Sequence, residues 1–97
     1  MKKYFVLKLI PCRPSFSHDM NAEERAIMLQ HVAYWKEKMA QGFVLVFGPV
    51  MDPKGVYGLG IVEAENAEQV NSFIENDPAS KINTYEFFQM MAIVPEK

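Results

Sequence analysis

The sequence is informative first through what it lacks. Cys12 is the only cysteine among 97 residues, so no disulfide can form within the chain and no site with several thiolate ligands can be built from it. No apolar run is long enough to cross a membrane, because the first one, residues 4–10, is short and contains Lys8. With no targeting segment visible, the sequence predicts a cytoplasmic protein that does not act in a membrane.

A large excess of charge of one sign is also missing. The formal net charge is -2, and both signs are interspersed without the basic stripe that a phosphate backbone requires. We therefore expect no nucleic-acid partner. The apolar fraction of 49% and the charged fraction of 23% are ordinary for a folded protein, and the length leaves no room for a second core. We predict one domain over residues 1–97.

Glycine-rich phosphate motifs are absent as well. Gly48 and Gly55 flank a lysine, but the spacing of a phosphate-binding loop occurs nowhere. Gly58 and Gly60 lack the third glycine and the following helix of a dinucleotide fingerprint. They more plausibly let backbone or a ligand approach closely. We expect no organic cofactor.

A metal site is not expected either. The residue four positions after His31 is Trp35, where a metal-binding helix would place a second ligand. Cys12 lies in no setting typical of a nucleophile, and we interpret it as incidental.

Six segments follow the patterns of strands and helices in the order β-α-β-β-α-β. Asn21 with Glu24, and later Asn66 with Gln69, have the spacing of a capping box at a helix start. Asp52-Pro53-Lys54-Gly55 has the composition of a type I turn between two strands. The predicted strands cover residues 4–10, 43–47, 57–63 and 85–94; a loop covers 11–20, the first helix covers 22–41, and the second starts after Asn66 and ends at Asp77-Pro78.

This order predicts a ferredoxin-like α+β fold, in which both helices cover one face of a four-stranded antiparallel sheet. The second and fourth strands are apolar on both faces, so the open face also needs a cover. No segment remains in the chain to provide it. We therefore predict a homodimer joined through the sheet faces.

His31 and Asp77 are the candidate catalytic residues. Helical spacing relative to Met28 and Trp35 puts His31 at the sheet-facing edge of the first helix. The topology brings Asp77 alongside, where its carboxylate could orient the imidazole. Two plainer interpretations stay open: a buried histidine satisfied by one hydrogen bond, and an aspartate that only caps the turn starting at Pro78.

An ordered set of short motifs runs along nearly the whole chain: His31 with Tyr34, Gly42, Gly48-Pro49, Asp52 with Gly55, Gly58, Glu63-Ala64 and Asp77-Pro78. In these residues the chain resembles the YCII-related family. The resemblance implies a dimeric α+β barrel with a His and an Asp as an acid/base pair in a cleft. It also implies small hydroxylated aromatic or unsaturated acids as substrates, dehydrochlorinated by some relatives, although most members have no assigned activity.

The chain departs from the family pattern at two positions. Family members often have an arginine three residues before the histidine, where this chain has Met28, and an aromatic residue after Asp-Pro, where it has Ala79. Arg13 and Arg25 are the candidates to replace that arginine and bind an anionic substrate. The other expected substrate-binding residues are Gly48, Pro49 and Gly58.

Two functions of different classes fit these features. The first is a cofactor-free, homodimeric enzyme in which His31 acts as base and Asp77 orients it, for elimination or isomerisation of a small anionic or phenolic ligand. The second is a non-catalytic module that binds a small ligand or a partner protein, with the same pair serving the structure. A third, a cofactor-free oxygenase of the kind found on similar barrels, is called for by no specific residue.

Overall fold

The computed structural model describes residues 2–95, which form a four-stranded antiparallel sheet with helices packed on one face. The strands lie in the order β2-β3-β1-β4, and the predicted ferredoxin-like α+β fold is confirmed. In chain order the elements are β1 Lys3–Ile10, α1 Phe16–Asp19, α2 Ala22–Ala40, β2 Val44–Val50, β3 Tyr57–Ala64, α3 Ala67–Glu75, a 3₁₀ helix Pro78–Lys81 and β4 Thr84–Met90.

Both main helices begin at the predicted caps. At α2 the Asn21 side chain accepts from the Glu24 N–H at 2.8 Å, and the Glu24 carboxylate accepts from the Asn21 N–H at 2.9 Å. At α3 the Asn66 side chain likewise accepts from the Gln69 N–H, but the Gln69 side chain accepts from the N–H of Glu65 instead of completing the box. Residue spacing therefore gave the helix starts correctly.

The prediction of a featureless loop over residues 11–20 is wrong, because it contains α1. Phe16 at the start of this helical turn is only 4% exposed. Hydrogen bonds from the N–H groups of His18 and Asp19 to the Ser15 carbonyl close the turn. Burial of one aromatic side chain thus folds a segment whose prolines and serines suggested only a loop.

The fourth strand is shorter than predicted and the second is longer. Pairing of β4 with β1 stops at Met90 opposite Tyr4, because β1 itself begins at Lys3. The apolar residues that follow have no strand of this chain to pair with, and Ile93 is 98% exposed. The second strand instead runs to Val50, since its pairing with β3 continues that far.

The core lies between the helices and the inner face of the sheet, with Trp35 at its centre. The Trp35 ring is 2% exposed and packs against Phe47 and Phe73, with ring centroids 5.2 and 4.8 Å away. Its indole also lies directly over Gly60, where a β-carbon would collide with the ring. Gly60 is therefore the close approach that the sequence indicated, and its neighbour is a side chain.

The outer face of the sheet is open and carries an apolar surface beside the charged residues Lys8, Glu63 and Glu86. Cross-strand pairing places Val6 beside Phe88 and Val46 beside Ile61 on this face. Phe88 is 64% exposed and Val46 is 56% exposed. We call this surface, formed by Val6, Ile10, Val46, Leu59, Ile61, Phe88 and Met90, the open sheet face.

Gly60→Ala is expected to lower the free energy of unfolding by about 2 kcal/mol, because the added methyl group displaces the Trp35 ring in a packed core. The matched control is Gly48→Ala, since a β-carbon at Gly48 meets no atom within 4 Å. Urea unfolding followed by tryptophan fluorescence measures both. Equal stability of the two variants would show that the contact between Gly60 and Trp35 carries no weight.

Candidate active site

A buried carboxylate, that of Asp77, is the centre of the site. Asp77 is 2% exposed. Nδ1 of His31 lies 2.9 Å from Oδ2, the indole N–H of Trp35 donates to Oδ2 at 2.7 Å, and the Tyr85 hydroxyl donates to the same oxygen. The backbone N–H of Ala79 donates to Oδ1 at 2.9 Å. Four donors from three parts of the chain thus converge on one side chain.

Local sequence explains how Asp77 comes to this position. It ends the α3 region and caps the following 3₁₀ helix, whose first residue is Pro78. The capping role considered above is therefore real. It uses Oδ1 for the Ala79 N–H, and both carboxylate oxygens remain within 3.0 Å of His31 Nδ1. Capping and contact with His31 coexist in one carboxylate.

The carboxylate is held in its charged form. Burial by itself raises the pKa of Asp77, but hydrogen bonds from His31, Tyr85, Trp35 and Ala79 outweigh burial and bring the pKa below its ordinary value. Burial and the neighbouring Asp77 charge raise the pKa of Tyr85, so its hydroxyl stays protonated and remains a donor. An ionised carboxylate only accepts hydrogen bonds, so Nδ1 of His31 must carry the proton between them.

The second ring nitrogen of His31 is not fully buried. Nε2 makes no hydrogen bond within residues 2–95, and no buried side-chain nitrogen or oxygen in that range lacks a partner, so Nε2 is accessible. His31 also lines a cavity, and Nε2 is the ring nitrogen that Asp77 does not contact. With Nδ1 protonated, the neutral imidazole presents a lone pair at Nε2.

The cavity has a volume of about 320 Å³, at the small end of the range for ligand pockets. It lies between α2, the segment containing α1, and the inner face of strands β2 and β3. Its wall is mostly apolar, with a few polar groups. The largest lining side chains include Phe16, Met28, Trp35, Phe47, Tyr57 and Tyr85.

The residues predicted to bind substrate fall into two groups. Gly48, Pro49 and Gly58 line the cavity together with His31. Arg13 and Arg25 are not among its lining residues.

The Arg13 guanidinium is engaged elsewhere. It donates two hydrogen bonds to the Glu24 carboxylate, at 2.8 and 2.9 Å, and two to Asp19, one to the carboxylate and one to the backbone carbonyl. These contacts hold the pKa of Glu24 down to about 2. Arg13 therefore ties the segment with α1 to the start of α2.

Three polar residues of the site were not found from the sequence: Trp35, Tyr85 and Asn83. The sequence placed Trp35 among the apolar positions of the first helix and Tyr85 only at the start of the fourth strand, and each combines a packed ring with a polar atom bonded to Asp77. The available signal is that a buried Tyr or Trp needs a partner for its polar atom. Asn83 carries no comparable signal in the sequence.

The fold is that of dimeric α+β barrel proteins, and the family is shown by direct comparison. The model of the YCII-related domain matches residues 5–93. The chain belongs to the YCII-related family. A comparison with curated protein sequences finds no match.

Several solved structures share the fold. A dehydrochlorinase of 5-chloro-2-hydroxyhydroquinone from Burkholderia phenoliruptrix, solved with 2,5-dihydroxybenzoquinone, is 27% identical, with a TM-score of 0.57 over 84% of this chain and 90% of that one. An uncharacterised protein from Thermotoga maritima is 6% identical, with a TM-score of 0.55 over 93% and 99%. A cofactor-independent oxygenase from Streptomyces nogalater is 14% identical, with a TM-score of 0.50 over 98% of each chain.

Three further features concern membrane spans, metal ligands and the single cysteine. Residues 2–95 include no helix long and apolar enough to cross a membrane. Within the same range no three His, Cys, Asp or Glu side chains are grouped so that they could hold a metal ion. Cys12 is free and exposed.

Asp77→Asn is expected to destabilise the protein by about 3 kcal/mol near neutral pH, because an amide has one acceptor oxygen for donors that now share two. The folded-state pKa of Asp77 lies below the ordinary value of 3.8. The stability from its charge is therefore complete above that value and is lost as pH falls through the lower folded pKa. The difference between wild type and variant should be full at about pH 7 and shrink below about pH 4.

Urea unfolding at both pH values measures this difference. Asp52→Asn is the control, because within residues 2–95 the Asp52 side chain accepts only from the Lys54 N–H, in a turn, and an amide oxygen can replace it. A difference that stays constant with pH would show that Asp77 is not stabilised as a carboxylate.

Proposed function

We propose that this protein is a small-molecule acid/base enzyme in which His31 takes a proton from the substrate and Asp77 orients His31. The observation that carries the proposal is the position of the imidazole between two unlike surroundings. One ring nitrogen contacts a buried, ionised carboxylate, and the other is accessible, on a residue that lines an apolar cavity of ligand size. A histidine serving only the structure needs the first contact but not the second.

The proposed chemistry follows from the proton positions. The lone pair of Nε2 accepts a proton from an acidic O–H or C–H of the substrate, and Asp77 stabilises the imidazolium that forms without taking the proton itself. The electron pair left on the substrate then expels a leaving group or moves to another carbon. Return of the proton from Nε2 to the leaving group or the new carbon completes an elimination or an isomerisation, and no electrons are exchanged with a cofactor.

The cavity favours a phenolic substrate over a carboxylate. No Lys or Arg among residues 2–95 lines it, and Arg13 is held by Glu24 and Asp19. Transfer of a carboxylate into such surroundings without a cation partner costs several kcal/mol, whereas a neutral ring gains from the apolar wall. The relative with 27% identity is a dehydrochlorinase of a chlorinated hydroxyhydroquinone, which is an aromatic substrate of this kind.

His31→Gln and Asp77→Asn are each expected to slow proton abstraction by about 100-fold or more, because a positioned general base contributes that much. The assays are chloride release from chlorinated hydroxyhydroquinones and deuterium uptake from solvent into a panel of phenols and unsaturated ketones. Ring-nitrogen NMR shifts should place the proton of neutral His31 on Nδ1 in the wild type. In Asp77→Asn that tautomer preference should weaken.

The control variant is Glu68→Gln, an exposed residue of α3 that lies on neither the sheet nor the cavity wall. It should leave the rate unchanged. If the wild type and His31→Gln gave equal rates across the whole panel, with both proteins folded, the pair would serve the structure. The protein would then be a binding module, the alternative that the sequence left open.

We further propose that the working form is a homodimer joined through the open sheet face. That face carries adjacent apolar side chains with high exposure, including Phe88 and Val46. A surface of this extent is more than a soluble monomer usually leaves in water, and a second copy provides a matching apolar surface. The expected interface buries roughly 2,000 Å² or more in total.

Phe88→Asp is expected to convert the dimer into monomers and to lower its thermal stability, because an unpaired charge buried there costs several kcal/mol. Leu29→Asp is the matched control, since Leu29 is 73% exposed on α2 and not on the sheet. Light scattering at micromolar concentration reads both variants. A wild type that is already monomeric at that concentration removes the dimer proposal.

A further inference from the structure

The amide of Asn83 has an unusual environment at the cavity wall. Asn83 is 6% exposed and lines the cavity. Its side-chain oxygen accepts a hydrogen bond from the Cys12 N–H at 3.2 Å. Among residues 2–95 the only acceptor for its NH₂ group is the sulfur of Met28 at 3.6 Å. A thioether is a weak acceptor, and the two N–H bonds of a planar amide diverge, so only one of them can point to the sulfur.

The orientation of this amide is fixed by the chain. The Cys12 backbone N–H can only donate, so it requires the oxygen of Asn83 on its side. Rotating the amide by half a turn would bring two donors together. The NH₂ group therefore points to the side of Met28, which also lines the cavity.

We infer that the Asn83 NH₂ group binds an oxygen atom of the substrate, a carbonyl or phenolate oxygen, within this cavity. This inference rests on the proposed function, in that the occupant of the cavity is the molecule on which His31 acts. A buried donor with only a sulfur partner gains more from a substrate oxygen than an already satisfied donor would. Asn83 is then the second polar contact, and it selects oxygenated rings over hydrocarbon rings of equal shape.

The contact also has a role in the reaction. When His31 removes a proton, negative charge develops on the conjugated oxygen of the substrate. A fixed N–H donor in an apolar cavity stabilises that charge more than the neutral oxygen before the reaction. Asn83 thus supplies part of what a cation would supply, in a cavity whose described residues include no Lys or Arg.

The test compares two ligands of nearly equal shape, acetophenone and ethylbenzene, of which only the first has an oxygen atom, by calorimetric titration. The dissociation constant of ethylbenzene divided by that of acetophenone should fall by about tenfold from wild type to Asn83→Leu, because only the ketone loses a hydrogen bond. The carbonyl stretching frequency of the bound ketone should rise in the variant. Ser17→Ala, another polar residue of the cavity wall, is the matched control and should keep the ratio.

A second variant tests the inference without disturbing the Cys12 contact. Met28→Leu removes the sulfur acceptor and leaves the amide free, so the preference for the ketone should rise or stay the same. A ratio that Asn83→Leu leaves unchanged, or a preference that Met28→Leu lowers, would overturn the inference. If Asn83→Leu does not fold, the Met28→Leu ratio and the carbonyl frequencies of wild type and Met28→Leu decide it.

These outcomes are separate from those for His31. Ligand preference is a binding measurement and needs no turnover. Equal reaction rates for wild type and His31→Gln would remove the proposed enzyme while leaving the Asn83 contact intact. An active wild type, together with a ligand ratio that Asn83→Leu leaves unchanged, would remove the Asn83 contact while leaving the proposed enzyme intact.

Discussion

The structure depends on one buried charge, the carboxylate of Asp77. A carboxylate in a protein core is unfavourable unless its oxygens are fully engaged, and here donors from α2, the 3₁₀ helix and β4 engage it. The 3₁₀ helix and β4 follow Asp77 closely in the sequence, whereas His31 and Trp35 of α2 lie more than 40 positions away, so the carboxylate fixes α2 against this later part of the chain. Any change in the helix packing that moved one donor would leave a charge without its partner, and the native arrangement is favoured for that reason.

The same charge connects packing with chemistry through Trp35. Its ring fills the space over Gly60, where a β-carbon would collide, and its indole N–H donates to Asp77. Close packing in the core thus positions the carboxylate, and the carboxylate in turn contacts Nδ1 of His31, a residue that lines the cavity. Stability and site geometry are determined by overlapping residues. Because of this overlap, a structural histidine and a catalytic one make the same contact with the carboxylate. They differ only in the surroundings of the other ring nitrogen.

Much of this arrangement could be predicted from local sequence signals. Helical periodicity placed His31 on the inner edge of its helix, and the spacing of asparagine with Glu or Gln located both helix starts. Features that depend on a partner far along the chain could not be predicted in this way. The end of β4 is set by where β1 begins. Asn83 matters only because its oxygen meets the Cys12 N–H, a contact between residues 71 positions apart.

The charges around the cavity determine which step can follow proton abstraction in the proposed reaction. Before proton transfer the site holds one fixed negative charge, that of Asp77, beside a neutral imidazole. After transfer the imidazolium and Asp77 compensate each other, and the new negative charge lies on the substrate in an apolar cavity whose described residues include no Lys or Arg. An anion there is stabilised by few groups, the nearby imidazolium and the amide of Asn83 among them. The negative charge on the intermediate is removed either when an anionic leaving group departs or when the proton returns at another carbon. The first step completes an elimination and the second an isomerisation.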